Sequence, residues 1–478
     1  MTRAIDRFLD VCARFPDAAA IHTRKGATSY GQFGQRVRQL AAAIAQRAPG
    51  GKVLIRTAQG ENAYATMLGS LMAGAVYSPL NVDAPAVRQQ MIADRFQPDL
   101  TVVDASTATG SASELVIDRL GGPELAAPQT HSPLAYVIFT SGSTGTPKGV
   151  MIARESLDHY LDWAIPALKA GIGERISQHP NIGFDLSVID IYAALCSGST
   201  LVPLTDARDR LMPATAIAEQ GITTWISVPS VLDLMQRAQQ ITPANLAGLR
   251  RLFFCGEQLL PSHLDWIFAA NPTVEVINTY GPTEATVSCT AVHMHHDDYR
   301  DKCDLSVTIG PAIPGMRINL IGGAHADEGE VVISGPQVAE GYWDDAHQTS
   351  ERFRPLSAGL RHSYFTGDWA ERKNGQVYFR QRMDRQIKRY GYRIELGEID
   401  EAVRRLGAAT VHTVHTGGRL ITFIEGPRGA DLTALRKSLG ETLPAYAVPD
   451  ELRYIDRLPR NANDKIDTLA LLEQVRHD

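Results

Sequence analysis

At 478 residues the chain is long enough for two to four domains of about 150 residues each. Hydrophobic residues at 44% and charged ones at 21% describe globular units with sizeable cores, and 47 Lys and Arg against 53 Asp and Glu leave a net charge of −6 with no long basic run, which argues against nucleic acid as the main partner. Five scattered cysteines without a CxxC pair argue against a disulfide framework and fit a reducing compartment.

The opening "MTRAIDRFLDVCARFPD" reads as an amphipathic helix, because charges run through it and no apolar core segment interrupts them as a signal peptide requires. "YGQFGQRVRQLAAAIAQR" has helical periodicity. "YATMLGSLMAGAVYSPL" is short for a membrane span and holds Gly and Pro, so it reads as a buried helix running into a strand. A cytoplasmic protein without membrane segments is expected. "KVLIRT", "LTVVD", "AYVIFT", "STLVPL", "TTWISVPS" and "RLFFCG" read as buried strands alternating with helices, the pattern of parallel α/β sheets. After "VEVINTYGPTEA" the texture turns to strands and turns, with Asn374-Gly375 marking a hairpin. A junction is expected near Met383–Arg385. Beyond it, helix "GEIDEAVRRLG", strands "TVHTVHT" and "LITFIEG" around Gly417-Gly418, and helix "ADLTALRKSLGETL" read as a small α+β unit.

"TSGSTGTPKG" packs hydroxyls, three glycines and one lysine directly after a buried strand, the composition of a phosphate cradle. It is not a Walker A loop: Pro147 stands where the second glycine belongs and has no N–H to donate. The glycines at 142, 145 and 149 do not make a dinucleotide fingerprint, and no G-x-S-x-G elbow surrounds Ser141 or Ser143.

The loop, followed in order by "FDLSVIDIYAALCSGSTLV", "NTYGPTEATV", "GEVVISGPQVAEGYW", "YFTGDWAERKNGQVYF", "RQRMDRQIKRYGYRIELGEID" and "LPRNANDKID", resembles the adenylate-forming enzymes, and among them amino-acid adenylation domains of nonribosomal peptide synthetase type. The resemblance runs from about Tyr30 to Ala470. It implies an N-terminal domain over 1–383, of parallel or mixed α/β sheets plus a small barrel-like β subdomain, and a mobile α+β C-terminal domain over 384–478. It also implies activation of a carboxylic acid with ATP and Mg²⁺, release of pyrophosphate, and transfer to a carrier protein's phosphopantetheine thiol.

Carried over by motif, Thr140, Ser141, Gly142, Ser143, Thr144, Gly145 and Lys148 grip the β- and γ-phosphates. Tyr280 faces adenine, Thr283 contacts phosphate, Glu284 holds Mg²⁺, Asp368 takes the ribose hydroxyls and Arg382 contacts ribose or phosphate. A hard oxygen ligand beside ATP suits Mg²⁺. Lys465 bridges the substrate carboxylate and α-phosphate, and Asp384 is the hinge. Two departures stand out: Gln381 and Asp464 replace the glycines usual before the hinge arginine and the catalytic lysine.

Asp185 matches the aspartate that pairs with an α-ammonium group; the alternative is a helix N-cap. The pocket positions carried over are Asp185, Leu186, Ile189, Ser227, Phe253, Cys255, Thr279, Val287 and Ser288, which leave room for a small, mostly apolar side chain. "FDLSVIDIY", "FFCGE" and "NTYGPTEATV" resemble the D-alanine–carrier-protein ligases, with Cys255 on the position beside the substrate methyl. Alanine is therefore expected first, then glycine or serine. Without a carrier-type serine motif in it, the chain is expected to act as a free-standing monomer on a separate carrier protein. An acyl-CoA ligase of the same fold and a catalytically degenerate binding module remain the alternatives. "HMHHDD", with His293, His295, His296, Asp297 and Asp298, has zinc-ligand chemistry but lacks a second distant cluster, and an exposed turn is the simpler expectation.

Overall fold

The computed structural model describes residues 3–142, 145–356, 363–426, 431–461 and 466–476. Chain contacts divide it into two compact units: residues 1–81, 96–138 and 149–383 in one, and residues 82–95, 139–148 and 384–478 in the other.

An eight-stranded sheet of the first unit runs in the order Thr290–Met294, Glu275–Tyr280, Arg251–Phe254, Thr224–Ser227, Arg175–Gln178, Thr200–Pro203, Ala19–Thr23, Gly26–Ser29. Its interior pairs are parallel and its two outermost pairs antiparallel. After Arg175–Gln178 the chain goes to one side for Thr200–Pro203 and to the other for Thr224–Ser227, so the strand order reverses there. Such a switch point opens a crevice beyond the carboxyl ends of the strands. A second sheet of seven strands holds Lys52–Arg56, Val76–Pro79 and Leu134–Thr140 near its centre. The helix Glu61–Met72 is buried nearly all round and runs into the strand Val76–Pro79, as its uniform apolarity requires. The helix Tyr30–Arg47 begins with a Ser29–Gln32 capping box and buries Phe33, Val37, Leu40 and Ile44 at helical spacing.

Where a barrel-like subdomain is expected, five antiparallel strands form a sheet around Glu328–Ser334 and Ser363–Lys373. Its hairpin turns at Asn374 and Gly375, φ +52° and +77°, the left-handed pair a two-residue turn requires.

In the second unit, the hairpin Gln386–Arg389/Tyr392–Glu395 leads into the helix Leu396–Arg405. A three-stranded sheet, Thr410–Thr416, Arg419–Glu425 and Glu451–Ile455, packs Val411, Leu420 and Ile424 against Ile399, Val403 and Leu439. The strand Glu451–Ile455 and the helix Thr468–Arg476 go beyond the sequence expectation. Among the described residues no helix is long and apolar enough to cross a membrane. All five cysteines are free.

Candidate active site

The carboxyl ends of three neighbouring parallel strands carry the residues expected to line the pocket. Ser227 ends one strand, Phe253 lies near the end of the next with Cys255 just beyond it, and Thr279 and Tyr280 end the third. Each polar member among these has a local anchor. The Thr279 hydroxyl donates to Phe254 O at 2.9 Å, the Ser227 hydroxyl donates to Val228 O at 3.0 Å, and the Cys255 thiol points to Val287 O at 3.6 Å.

Asp185 and Leu186 precede the helix Ser187–Leu195, on which Ile189 is buried. The cap residue of that helix is Leu186, whose side chain makes no cap hydrogen bond. Asp185 as a residue is only 7% exposed. Tyr160, on the helix Arg154–Ala167, shares a hydrogen bond of 3.2 Å with the Ser288 hydroxyl. Burial pushes the Tyr160 phenol well above its usual pKa; the Ser288 bond opposes this, and Cys255, Asp185 and Tyr136 reinforce it. Trp163, one turn on, approaches both the Tyr160 and Phe253 rings, with centroids 5.8 and 6.5 Å apart. Ser288 and Phe253 therefore meet one helix face. Neither Tyr160 nor Trp163 is legible in "LDHYLDW", whose periodicity marks only a packed face.

Past Tyr280 the backbone closes tightly. A Cβ on Gly281 would sit 2.5 Å from Ser288 Cα, and Thr286 and Val287 both hold left-handed φ, +57° and +69°. A β-branched residue in that region is an outlier that its surroundings must impose. The Thr286 hydroxyl donates to Gln337 O at 2.7 Å and pins the loop. Thr283 and Glu284 lie on its single turn of 3₁₀ helix, both buried.

Asp368 gathers the expected nucleotide residues. Its two oxygens accept from the Tyr280 hydroxyl and from Arg382, each at 2.6 Å. Arg382 also donates to Thr366 O at 2.8 Å. Burial raises the Tyr280 phenol far above its usual pKa, with Asp368 adding to it, so Tyr280 stays a neutral donor. The Glu284 carboxylate accepts from the Tyr342 hydroxyl at 2.8 Å. Among the described residues no group of three or more His, Cys, Asp or Glu could hold a metal. A Mg²⁺ at Glu284 fits as an ion taking one carboxylate and completing its shell with phosphate and water. In "HMHHDD", His293 bonds Glu275 at 2.8 Å and the His295 N–H donates to Asp298.

The phosphate-loop residues lie in the second unit. Gly142 leaves no room for a side chain, since a Cβ would fall 2.0 Å from Thr146 O, and Gly145 takes φ +74°. The Thr140 hydroxyl reaches Lys148 O at 3.4 Å, and the Ser141 hydroxyl donates to Arg393 O at 2.7 Å. Ser143, Thr144, Asp464 and Lys465 lie outside the described residues. At the expected hinge, the Met383 N–H donates to Gly367 O within the first unit. Arg385 is held within the second by Asp400 and Thr413 O, each at 2.7 Å. Asp384 stands between them and accepts from the Gln386 N–H.

The family model for AMP-binding enzymes matches residues 8–343. The chain belongs to the AMP-binding enzymes. A D-alanine–D-alanyl carrier protein ligase of Bacillus velezensis is 30% identical over 96% of this chain and 97% of its own length. The ligase of the same name from Lacticaseibacillus rhamnosus is 30% identical over 99% of each chain. Among solved structures, the Vibrio cholerae adenylation domain AlmE, in complex with glycyl-adenosine-5'-phosphate, superposes with a TM-score of 0.87 at 25% identity, covering 100% of this chain and 98% of its own. An NRPS protein containing adenylation and PCP domains gives a TM-score of 0.85 at 25% identity, over 98% of this chain and 84% of its own.

Proposed function

We propose that this AMP-binding enzyme is an AMP-forming ligase: it activates a small amino acid with ATP, releases pyrophosphate, and passes the aminoacyl group to the phosphopantetheine thiol of a separate carrier protein. Alanine is the favoured substrate, then glycine or serine. The relatives named as D-alanine–carrier ligases and the glycyl-adenylate complex of a structural neighbour support a small side chain. The single observation that carries the amino-acid reading is Asp185, an acidic residue only 7% exposed directly before the helix Ser187–Leu195. A buried carboxylate favours a cationic partner, and an α-ammonium group supplies one.

In this reading Tyr280 packs on adenine and Asp368 takes the ribose hydroxyls. A carboxylate has about four acceptor directions, so its bonds to Tyr280 and Arg382 leave capacity for a diol. Thr283 and the loop Thr140–Lys148 orient the phosphates. Mg²⁺ held by Glu284 would draw negative charge off the phosphate oxygens when bound. Lys465 bridges carboxylate and α-phosphate and offsets the charge that grows on the oxygens as the carboxylate attacks phosphorus and pyrophosphate leaves. Rotation about Asp384 then separates adenylation from thiol transfer. The enzyme works as a cytoplasmic monomer.

The test is ATP–pyrophosphate exchange over both alanine enantiomers, glycine, serine, β-alanine and simple acids, with Lys465→Ala beside the wild type. Exchange with one small amino acid, lost in Lys465→Ala, is the expected result. Exchange confined to acids without an α-amino group would reassign the chain to acyl-CoA ligation, and no exchange at all would leave a binding module.

A further inference from the structure

Four of the residues expected around the substrate's side chain carry a hydroxyl or a thiol: Ser227, Cys255, Thr279 and Ser288. By composition they make a polar pocket, one that would suit serine as well as alanine. The structure brings the four together through a run of contacts. Ser227, Phe254 and Asn278 are in register across three parallel strands, so Ser227, Cys255 and Thr279 stand at neighbouring strand ends. The Thr279 hydroxyl reaches Phe254 O, beside Cys255, and the Cys255 thiol reaches Val287 O, beside Ser288. All four residues are buried.

The same contacts show where their protons go. Ser227 accepts from Trp225 Nε1 at 2.8 Å and donates to Val228 O at 3.0 Å. Thr279 and Cys255 likewise turn to main-chain carbonyls. Ser288 differs, because its hydroxyl pairs with a side chain, the buried Tyr160 hydroxyl, at 3.2 Å. A hydroxyl already bonded inside the protein has less to offer a ligand. A ligand hydroxyl placed against such groups gives up water without a full replacement.

We infer that Tyr160 is a positioning residue for substrate specificity. By holding the Ser288 hydroxyl it completes the internal bonding of these polar groups, so the pocket meets a substrate side chain as an apolar one would and takes alanine in preference to serine. This rests on the amino-acid reading and narrows it, removing serine from the favoured substrates.

2-Aminobutyrate and serine differ by a methyl against a hydroxyl at nearly equal size. ATP–pyrophosphate exchange is measured with alanine, 2-aminobutyrate and serine, each in the enantiomer the enzyme uses. The wild type should favour 2-aminobutyrate over serine by about ten- to a hundredfold in kcat/KM. Tyr160→Phe leaves the Ser288 hydroxyl without its partner and open to the serine hydroxyl, so the ratio should move toward serine by about three- to tenfold. Adding Ser288→Ala to Tyr160→Phe should bring the ratio back, because the freed hydroxyl is then gone. A Tyr160 that serves the fold alone would lower Tm and leave the ratio where it was, and that outcome overturns the inference. A gain for serine that survives Ser288→Ala overturns it too. Parity of serine and 2-aminobutyrate in a wild type that exchanges with alanine removes this inference and leaves the amino-acid reading standing. A wild type that exchanges with no amino acid removes both.

Discussion

Asp368 is 6% exposed and sits 2.6 Å from both Tyr280 and Arg382, so one carboxylate fixes the direction of an aromatic ring and of a guanidinium. Tyr280 and Asp368 are 88 residues apart, and a hydrogen bond across that span orders both partners without help from local geometry. Asp368→Asn keeps the size but loses the charge. A hydrogen bond involving a charged group contributes about 1.5–3 kcal/mol, so the ATP KM should rise by about ten- to a hundredfold. The amino-acid KM should move far less, because Ser227, Thr279 and Ser288 are anchored through other bonds. Steady-state exchange kinetics with each substrate varied in turn would read this. Equal effects on both KM values would mean that Asp368 holds the fold of the site and not the nucleotide.

At the scale of one element, the turn from Tyr280 to Ser288 is built on close approach. Gly281 has ordinary negative φ space available, so its requirement is steric and not conformational: the Ser288 backbone occupies the place of a side chain. Gly281→Ala must push that backbone away and disturb the left-handed Thr286–Val287 pair. Overpacking of this kind costs about 1–3 kcal/mol. The expected outcome is a Tm several degrees lower together with weakened exchange, since Val287 O also receives the Cys255 thiol. Thermal melting beside kinetics checks it, and an undisturbed Tm would show the turn to be more compliant than its packing implies.

Across the whole molecule, each unit holds a histidine that resists protonation. His412, 5% exposed and bonded to Thr468 at 2.9 Å, is lowered to about 4 by burial and then by Arg385. His179, packed against Trp225 with centroids 5.4 Å apart, is lowered to about 4 by burial and then by Arg210. A depressed folded pKa means that the unfolded chain takes the proton first. The stability these neutral rings carry is complete above about 6.5 and is lost as pH falls toward 4. Glu275, lowered to about 2 chiefly by its bond to His293, acts in a later window, from about 4.5 down to 2. Urea midpoints should therefore decline from pH 6.5 to 4, before the carboxylates protonate. His412→Gln should flatten its share of that decline, worth up to about 3 kcal/mol. Parallel curves for wild type and variant would place the acid sensitivity elsewhere.

Local pattern carried much of this protein into view. The alternation of short apolar runs with helical periods announced the parallel sheets, because both periods are imposed by backbone geometry and are written residue by residue. Asn374-Gly375 announced its hairpin, because few residues accept two consecutive positive φ values. The ordered motifs, through their resemblance to adenylation domains, gave Asp185, the Tyr280 turn and Asp368 as expected site residues. What needed the tertiary structure was everything that depends on distance between remote segments. Tyr160 and Trp163 look like any packed helix face, and only the fold brings them to Ser288 and Phe253. Tyr342 becomes the partner of Glu284 across 58 residues. Tyr136 reads as a strand residue like its neighbours until the packing buries its hydroxyl with no hydrogen-bond partner among the described residues. Sequence records which groups are present and what the backbone beneath them can do. Whether a buried polar group is satisfied is a property of the three-dimensional neighbourhood, and only the folded chain decides it.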